Sequence, residues 1–264
     1  MYWVVQKDLF REAEQHEALL TALDRMGLPF SVHDCVMGTL IPNIEPEGPV
    51  MVIGAVGMAN IAQRRGWRPG SFLNGNFDFE VQRAQWGDRM LNADALVCAF
   101  EDVPLHRDEI RLEDECFFIR PVHDTKSFTG IVQTWDEFMA WHERIVKNDE
   151  DMRWACKPQT PVLIGLAKKL YWEYRLFVVD GKVVTASAYK NGGRLWVTEA
   201  VNPAAIQFVE EAAACWSPAR AFVADVAETP DGLRLIEVNN LNSAGFYACN
   251  IARLVEAIEG MGYT

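Results

Sequence analysis

The chain has 264 residues, half of them hydrophobic and 11% aromatic, and a formal net charge of −12. That length and composition fit a globular protein built as one large domain or two to three small lobes around a shared core, and they exclude a disordered chain. The acidic balance excludes an extended nucleic-acid footprint, which needs clustered Lys and Arg, but not a nucleotide whose phosphates a few local cations and Mg2+ can hold. The six cysteines (Cys35, Cys98, Cys116, Cys156, Cys215, Cys249) are far apart with no C-x-x-C pair, so they read as small buried apolar residues and not as a zinc or redox motif. The first residues lack the basic-then-apolar order of a signal peptide, and no run of about 18 apolar residues occurs. The expected compartment is therefore a reducing cytoplasm, with no membrane span.

In chain order, YWVVQ reads as a buried strand, and REAEQHEALLTALDRMG as a helix ending at Gly27. PFSVHDC and PVMVIGAV are further strands, and GMANIAQRRG a second helix. This alternation predicts a small α/β lobe with a partly parallel sheet. GWRPGSFLNGNF, rich in turn residues, reads as a loop, and DALVCAF as a strand leading out. The next region gives β-β-α-β from about 116 to 158. CFFIRPV and FTGIV are strands around the polar turn HDTKS, TWDEFMAWHERIVKN is an amphipathic helix with Thr134 as N-cap, and RWACKP is a strand. The last region is antiparallel. YWEYRLFVV and KVVTASAYK flank an Asp-Gly turn, a strong hairpin signal. NPAAIQFVEEAAACW is a helix capped by Asn202, RAFVADVAE-TPDG-LRLIEVNN a second hairpin, and NIARLVEAIEGMG a closing helix.

Turn chemistry then places side chains. In the second hairpin a three-residue loop with Gly232 in the left-handed position puts Asp225 opposite Glu237, with Asn239 on the same face. Three oxygen-bearing groups on one patch suit Mg2+ or Mn2+. The alternative is a solvated hairpin face, although Val223, Ala227, Leu233 and Leu235 would share it, and acids among apolar residues need partners. In the first hairpin a two-residue turn places Glu173 and Arg175 on one face with Ala186, Ala188 and Lys190. Spacing leaves two readings open: a cross-strand ion-pair ladder or a phosphate and carboxylate clamp. Lys126, followed by Ser127, sits in a turn of small and hydroxylated residues that can close over phosphates with backbone N–H groups. Arg120 is a charge inside an apolar strand and must find an anion.

The combination IRP, DTKSFTG, EYR, DV and EVN along residues 116–250 resembles the ATP-grasp superfamily, and within it the small clade named for two arginines and one lysine, found in bacteria and phages. IEVNN with NSAGF, and WEYRLFVVDGKVV, are similar to segments of the ribosomal-protein glutamate ligases. The resemblance implies a mixed α+β and α/β ATP-grasp fold: a pre-ATP-grasp α/β lobe over 1–105, a small β-β-α-β lobe over 106–168 and a C-terminal lobe with the metal site over 169–264. It implies Mg2+ ligands at Asp225, Glu237 and Asn239, nucleotide contacts from Arg120, Lys126, Ser127, Lys157 and Glu173, and catalytic roles for Arg175 and Lys190 at the γ-phosphate and acyl phosphate. Adenine would lie on the connection KPQTPVLIG. The implied activity is an ATP-dependent carboxylate–amine ligase that releases ADP. A phosphotransferase and a non-catalytic Mg-ATP-binding module are the alternatives, and no motif identifies the carboxylate, the amine or the oligomeric state.

Overall fold

A computed structural model describes residues 1–10, 13–72, 78–123, 128–147 and 156–263. The chain forms two compact units, one made of Met1–Gly75 with Tyr171–Thr264 and the other of Asn76–Leu170.

The first unit opens with β1 (Tyr2–Gln6), α1 (Ala13–Arg25), β2 (Phe30–Val36), β3 (Thr39–Ile41), β4 (Val50–Ile53), α2 (Val56–Arg64) and β5 (Pro69–Gly70). The strands form one sheet in the order β3-β2-β1-β4-β5, parallel except at the β2–β3 hairpin. Parallel strands covered on both faces read as continuous apolar runs, and Trp3, Val4 and Val5 are all buried. Val4, Val50 and Val52 pack toward Met58 and Ile61 of α2, while Trp3, Val5, Met51 and Ile53 pack with Leu19 and Leu23 of α1. Gly27, at φ +65°, ends α1, and the Leu28 N–H reaches back to the Leu23 carbonyl. The stretch read as a loop after α2 contains β5, because Pro69 and Gly70 pair with Val50 and Met51.

The second unit contains α3 (Phe79–Trp86), β6 (Leu96–Ala99), β7 (Cys116–Pro121), β8 (Ile131–Thr134), α4 (Trp135–Lys147) and β9 (Pro161–Leu166), with an antiparallel sheet in the order β6-β9-β7-β8. The Thr134 cap is a reciprocal capping box: Thr134 Oγ1 accepts from the Glu137 N–H at 3.3 Å, and Glu137 Oε2 accepts from the Thr134 N–H at 2.9 Å. The strand expected over RWACKP is displaced. Residues 153–155 lie outside the described residues, Cys156–Pro158 are not in a strand, and Lys157 and Thr160 close a turn. The strand is β9, whose Val162, Leu163 and Ile164 are buried, so the sheet takes the continuous apolar run and leaves the proline-containing stretch outside. The expected adenine connection is therefore half turn and half central strand.

The first unit resumes with β10 (Trp172–Val179), β11 (Lys182–Asn191), β12 (Arg194–Thr198), α5 (Pro203–Cys215), β13 (Ala221–Thr229), β14 (Gly232–Asn239) and α6 (Ile251–Glu259). The five strands form an antiparallel sheet in the order β12-β11-β10-β13-β14. Asn202 caps α5, accepting from the Ala204 N–H, with Pro203 in the first turn. Phe177, Val179, Ala221 and Val223 share one core with α6, α1 and the inner face of the N-terminal sheet. All six cysteines are free thiols; Cys156 and Cys249 are buried as expected, but Cys215 ends α5 exposed. Among the described residues no helix is long and apolar enough to cross a membrane.

Asn242, 2% exposed, joins the two sheets of the first unit. Its Oδ1 accepts from the Phe72 N–H at 2.7 Å, its Nδ2 donates to the Val52 carbonyl, and its own carbonyl accepts from the Gly54 N–H. Asn242→Ala strands two buried backbone groups, each costing about 1–3 kcal/mol. Urea denaturation should show a loss of about 2–6 kcal/mol from that pair; a change below about 0.5 kcal/mol, the usual range for a surface substitution, would contradict this role.

Candidate active site

The candidate groups meet on one face of the C-terminal sheet, and bulges set their register. β13 and β14 pair Thr229 with Gly232 and Val226 with Leu235, so the turn holds two residues and not the expected three. An extra residue, Ile236, then shifts the register and restores Asp225 opposite Glu237 and Val223 opposite Asn239. Leu233 and Leu235 consequently leave the face on which the sequence had put them. In the first hairpin, Asp180 (φ 46°) and Gly181 (φ 76°) form the two-residue turn and pair Val179 with Lys182 as expected. Extra residues at Val184 and Tyr189 then place Ser187 opposite Arg175 and Lys190 opposite Glu173. Ala186 and Ala188 pair with Leu176 and Tyr174, so they lie on the other face.

Arg175 is the hub. Its Nε donates to Asp225 Oδ1 at 2.9 Å and its Nη2 to Asp225 Oδ2 at 2.7 Å, a two-pronged pair between neighbouring strands. Nη1 donates to the Gly245 carbonyl at 3.2 Å. Asn239 Nδ2 lies 3.3 Å from Asp225 Oδ2 and 3.2 Å from Glu237 Oε1, so both carboxylates converge on one amide. On the other side of Arg175, buried Glu173 accepts from the Tyr189 hydroxyl at 3.0 Å and pairs with Lys190 Nζ at 3.4 Å. The hydroxyls of Ser187 and Thr185 accept from the N–H groups of Ala248 and Asn250 and so fasten the segment after β14 over the hub. There Tyr247 (φ 50°) stacks on Tyr189 with centroids 5.0 Å apart, and Arg175 Cζ lies 5.0 Å from the Tyr247 ring.

Burial works against the Arg175 charge, but the charge and hydrogen bonds of Asp225 outweigh it and push the guanidinium above its usual pKa. Burial, reinforced by the Asp225 and Glu173 charges, pushes the Tyr189 hydroxyl far up, so it stays protonated and serves as a donor. Cys249 beside this region is pushed up to about 12 by burial, which makes it a packing thiol and not a nucleophile.

The structure thus brings together Glu173, Arg175, Lys190, Asp225, Glu237 and Asn239. Arg120 lies in the second unit, half-buried on β7 with its Cζ 5.6 Å from the Phe79 ring. Lys157 is exposed on the turn before β9. Lys126 and Ser127 lie outside the described residues. Tyr189, Ser187 and Tyr247 had no motif: a tyrosine in an apolar strand reads as core, and only the NSAGF segment pointed to the neighbourhood of Tyr247.

Among the described residues no group of three or more His, Cys, Asp or Glu forms a metal cage. The carboxylate pair with an amide is nevertheless a hard-oxygen set that fits a divalent cation. A half-turn of the Asn239 amide exchanges its NH2 for a carbonyl oxygen aimed at the same point.

A family model for the ATP-grasp domain of the two-arginine, one-lysine clade, family 3, matches residues 64–258. The chain belongs to that family. A search of curated proteins returns no match. Among solved structures it is similar to the D-cycloserine synthetase DcsG (13% identity, 98% of this chain and 99% of that one, TM-score 0.65) and to the ATP-grasp ligase PsnB complexed with minimal precursor (15%, 99% of each chain, 0.60). A RimK domain protein ATP-grasp from Sphaerobacter thermophilus is a third (15%, 92% of each chain, 0.60). These likenesses place this ATP-grasp family member in the same fold as the solved ligases.

Removing one partner of the Arg175–Asp225 pair leaves the other charge buried and uncompensated, a loss of about 3–5 kcal/mol. Urea denaturation should show that loss for Arg175→Ala, and a smaller one for the double change Arg175→Met with Asp225→Leu. A double variant that loses at least as much as the single one would show that the pair does not govern local stability.

Proposed function

We propose that the protein is an ATP-dependent carboxylate–amine ligase that works through an acyl phosphate and releases ADP. The observation that carries the reading is the row on one sheet face, with Lys190 and Glu173 paired on one side of Arg175 and Asp225, Asn239 and Glu237 joined on the other, in a chain of the ATP-grasp family.

Asp225, Glu237 and Asn239 would hold Mg2+, or Mn2+ with similar ligand preference, and the bound ion would supply counter-charge to the distal phosphates of ATP. Arg175 commits three of its five N–H groups to Asp225 and the Gly245 carbonyl, which leaves two for a phosphoryl or acyl oxygen. Its orientation is fixed before substrate arrives, so it needs little reorganisation as charge develops. Lys190, more exposed than Glu173, would neutralise the incoming carboxylate and then the acyl phosphate. A carboxylate oxygen attacks the γ-phosphorus as the bond to the β-phosphate oxygen breaks, and ADP leaves. The amine nitrogen then attacks the acyl carbon, inorganic phosphate departs, and the nitrogen loses a proton. Arg120, Lys126, Ser127 and Lys157 are proposed as nucleotide contacts, and Glu173 as the group that holds Lys190 beside the nucleotide. The solved ATP-grasp ligases similar to this chain range from a D-cycloserine synthetase to a ligase complexed with a precursor peptide, which supports a carboxylate substrate drawn from either small molecules or peptides.

Glu237→Gln is the cleanest test, because Glu237 is only half-buried and lies outside the Arg175–Asp225 pair. Both Glu237→Gln and Asp225→Asn should lower ATP turnover by at least about 100-fold, the scale of one lost preorganised contact. Chromatography of the wild-type reaction should give ADP and phosphate. Near-normal turnover in both folded variants would remove the metal site; AMP with pyrophosphate would overturn the ligase mechanism; and a stable phosphorylated product would select a phosphotransferase.

A further inference from the structure

β12 is the outermost strand of the C-terminal sheet, and among the described residues no strand pairs with its outer edge. Natural edges are usually blunted by proline, charge or cover. β12 has no proline and one charged residue, Arg194, and Leu195, Trp196 and Val197 are 72%, 61% and 46% exposed. A tight turn leads into it. Asn191 pairs with Arg194 across Gly192 (φ 54°) and Gly193 (φ 77°), a two-residue turn that only such left-handed residues make easily. The connection is therefore too short to fold back as a lid over the edge. Leu195 pairs with Lys190, which pairs with Glu173, so the open edge is in register with the proposed catalytic row.

We propose that β12 is a docking edge for an extended peptide substrate, whose backbone adds to the sheet as a further strand and whose carboxylate is delivered to Lys190. Strand addition supplies affinity through main-chain hydrogen bonds and selectivity through alternate side chains, here apolar ones against Leu195 and Trp196. A strand added outside β12 lies two strand spacings, about 10 Å, from β11. Lys190 Nζ lies 3.4 Å from Glu173 Oε2, toward β10, so the residues that follow the docked strand would cross over β11 and β12 to bring their carboxylate to it. A second copy of the chain is the poorer occupant. A five-residue edge falls well short of the roughly 800 Å2 per partner of a stable interface, and each copy carries a charge of −12. The delivery of the carboxylate rests on the ligase reading; the docking itself does not.

The test separates the two. Seven-residue peptides of alternating valine and threonine ending in glutamate are titrated into the intact protein with Mg-ATP, and amide hydrogen exchange over residues 194–198 is compared with that in free glutamate. The expected result is at least tenfold slower exchange there with peptide and no change with glutamate. Leu195→Ser with Trp196→Ser should weaken peptide binding at least tenfold while leaving the melting temperature and Mg-ATP affinity unchanged. Absence of binding by any such peptide, binding that the double substitution does not affect, or protection of β12 that disappears on dilution without peptide would each overturn the proposal, the last in favour of a second copy. Peptide protection of β12 without ADP formation would keep the docking edge and remove the ligase reading.

Discussion

The site is organised around one buried ion pair. Arg175 and Asp225 have side chains 12% and 3% exposed, and two charges taken that far out of water are tolerated only with well-aligned partners. The pairing takes up one edge of the guanidinium and one lone pair on each carboxylate oxygen, leaving a second lone pair on each, and thereby fixes the neighbours. Asn239 must bridge Asp225 and Glu237, and the Gly245 carbonyl must turn toward Nη1. Gln15 of α1 in turn accepts from the Phe246 N–H at 2.7 Å, so the N-terminal part of the first unit helps to hold the segment that closes over the pair. A ring stack of Tyr189 and Tyr247 completes the enclosure.

Enclosing a charged pair in this way requires departures from regular sheet. Extra residues at Val184, Tyr189 and Ile236 interrupt the β10–β11 and β13–β14 ladders, and two of them lie next to residues of the site. Each changes the face a strand presents, which allows the same strands to be apolar toward the shared core at one end and polar at the other. Tyr189 shows the gain: as the extra residue beside Lys190, it reaches Glu173 from the same strand.

This also explains which features could be read from the sequence. Asn-Pro at α5, Asp-Gly at the first hairpin, and the Thr134 cap are local signals whose physics acts within a few residues, and the structure contains each of them. The alignment of Asp225 with Glu237 came out as expected for a partly different reason, since a shorter turn and a bulge cancel. Face assignments that depended on unbroken alternation, Ala186, Ala188, Leu233 and Leu235, did not hold, because a bulge answers to packing across the sheet and leaves no local mark. β12 was missed because an edge strand exposed on both sides lacks the alternation that marks a half-buried one. β9 was misplaced because a central strand is recognised by burial on both faces, which a run such as PVLIGL shares with other buried segments.

In the proposed function, the row of side chains beside the buried ion pair holds a divalent cation and the phosphates of ATP. The most direct measurement is Mn2+ binding in the presence of ATP, followed by electron paramagnetic resonance for the wild-type protein and for Glu237→Gln and Asn239→Leu. The expected result is one Mn2+·ATP bound per chain, with affinity lowered at least tenfold in each variant while the fold is retained. Equal affinity in all three proteins would contradict it and place the cation away from this sheet face.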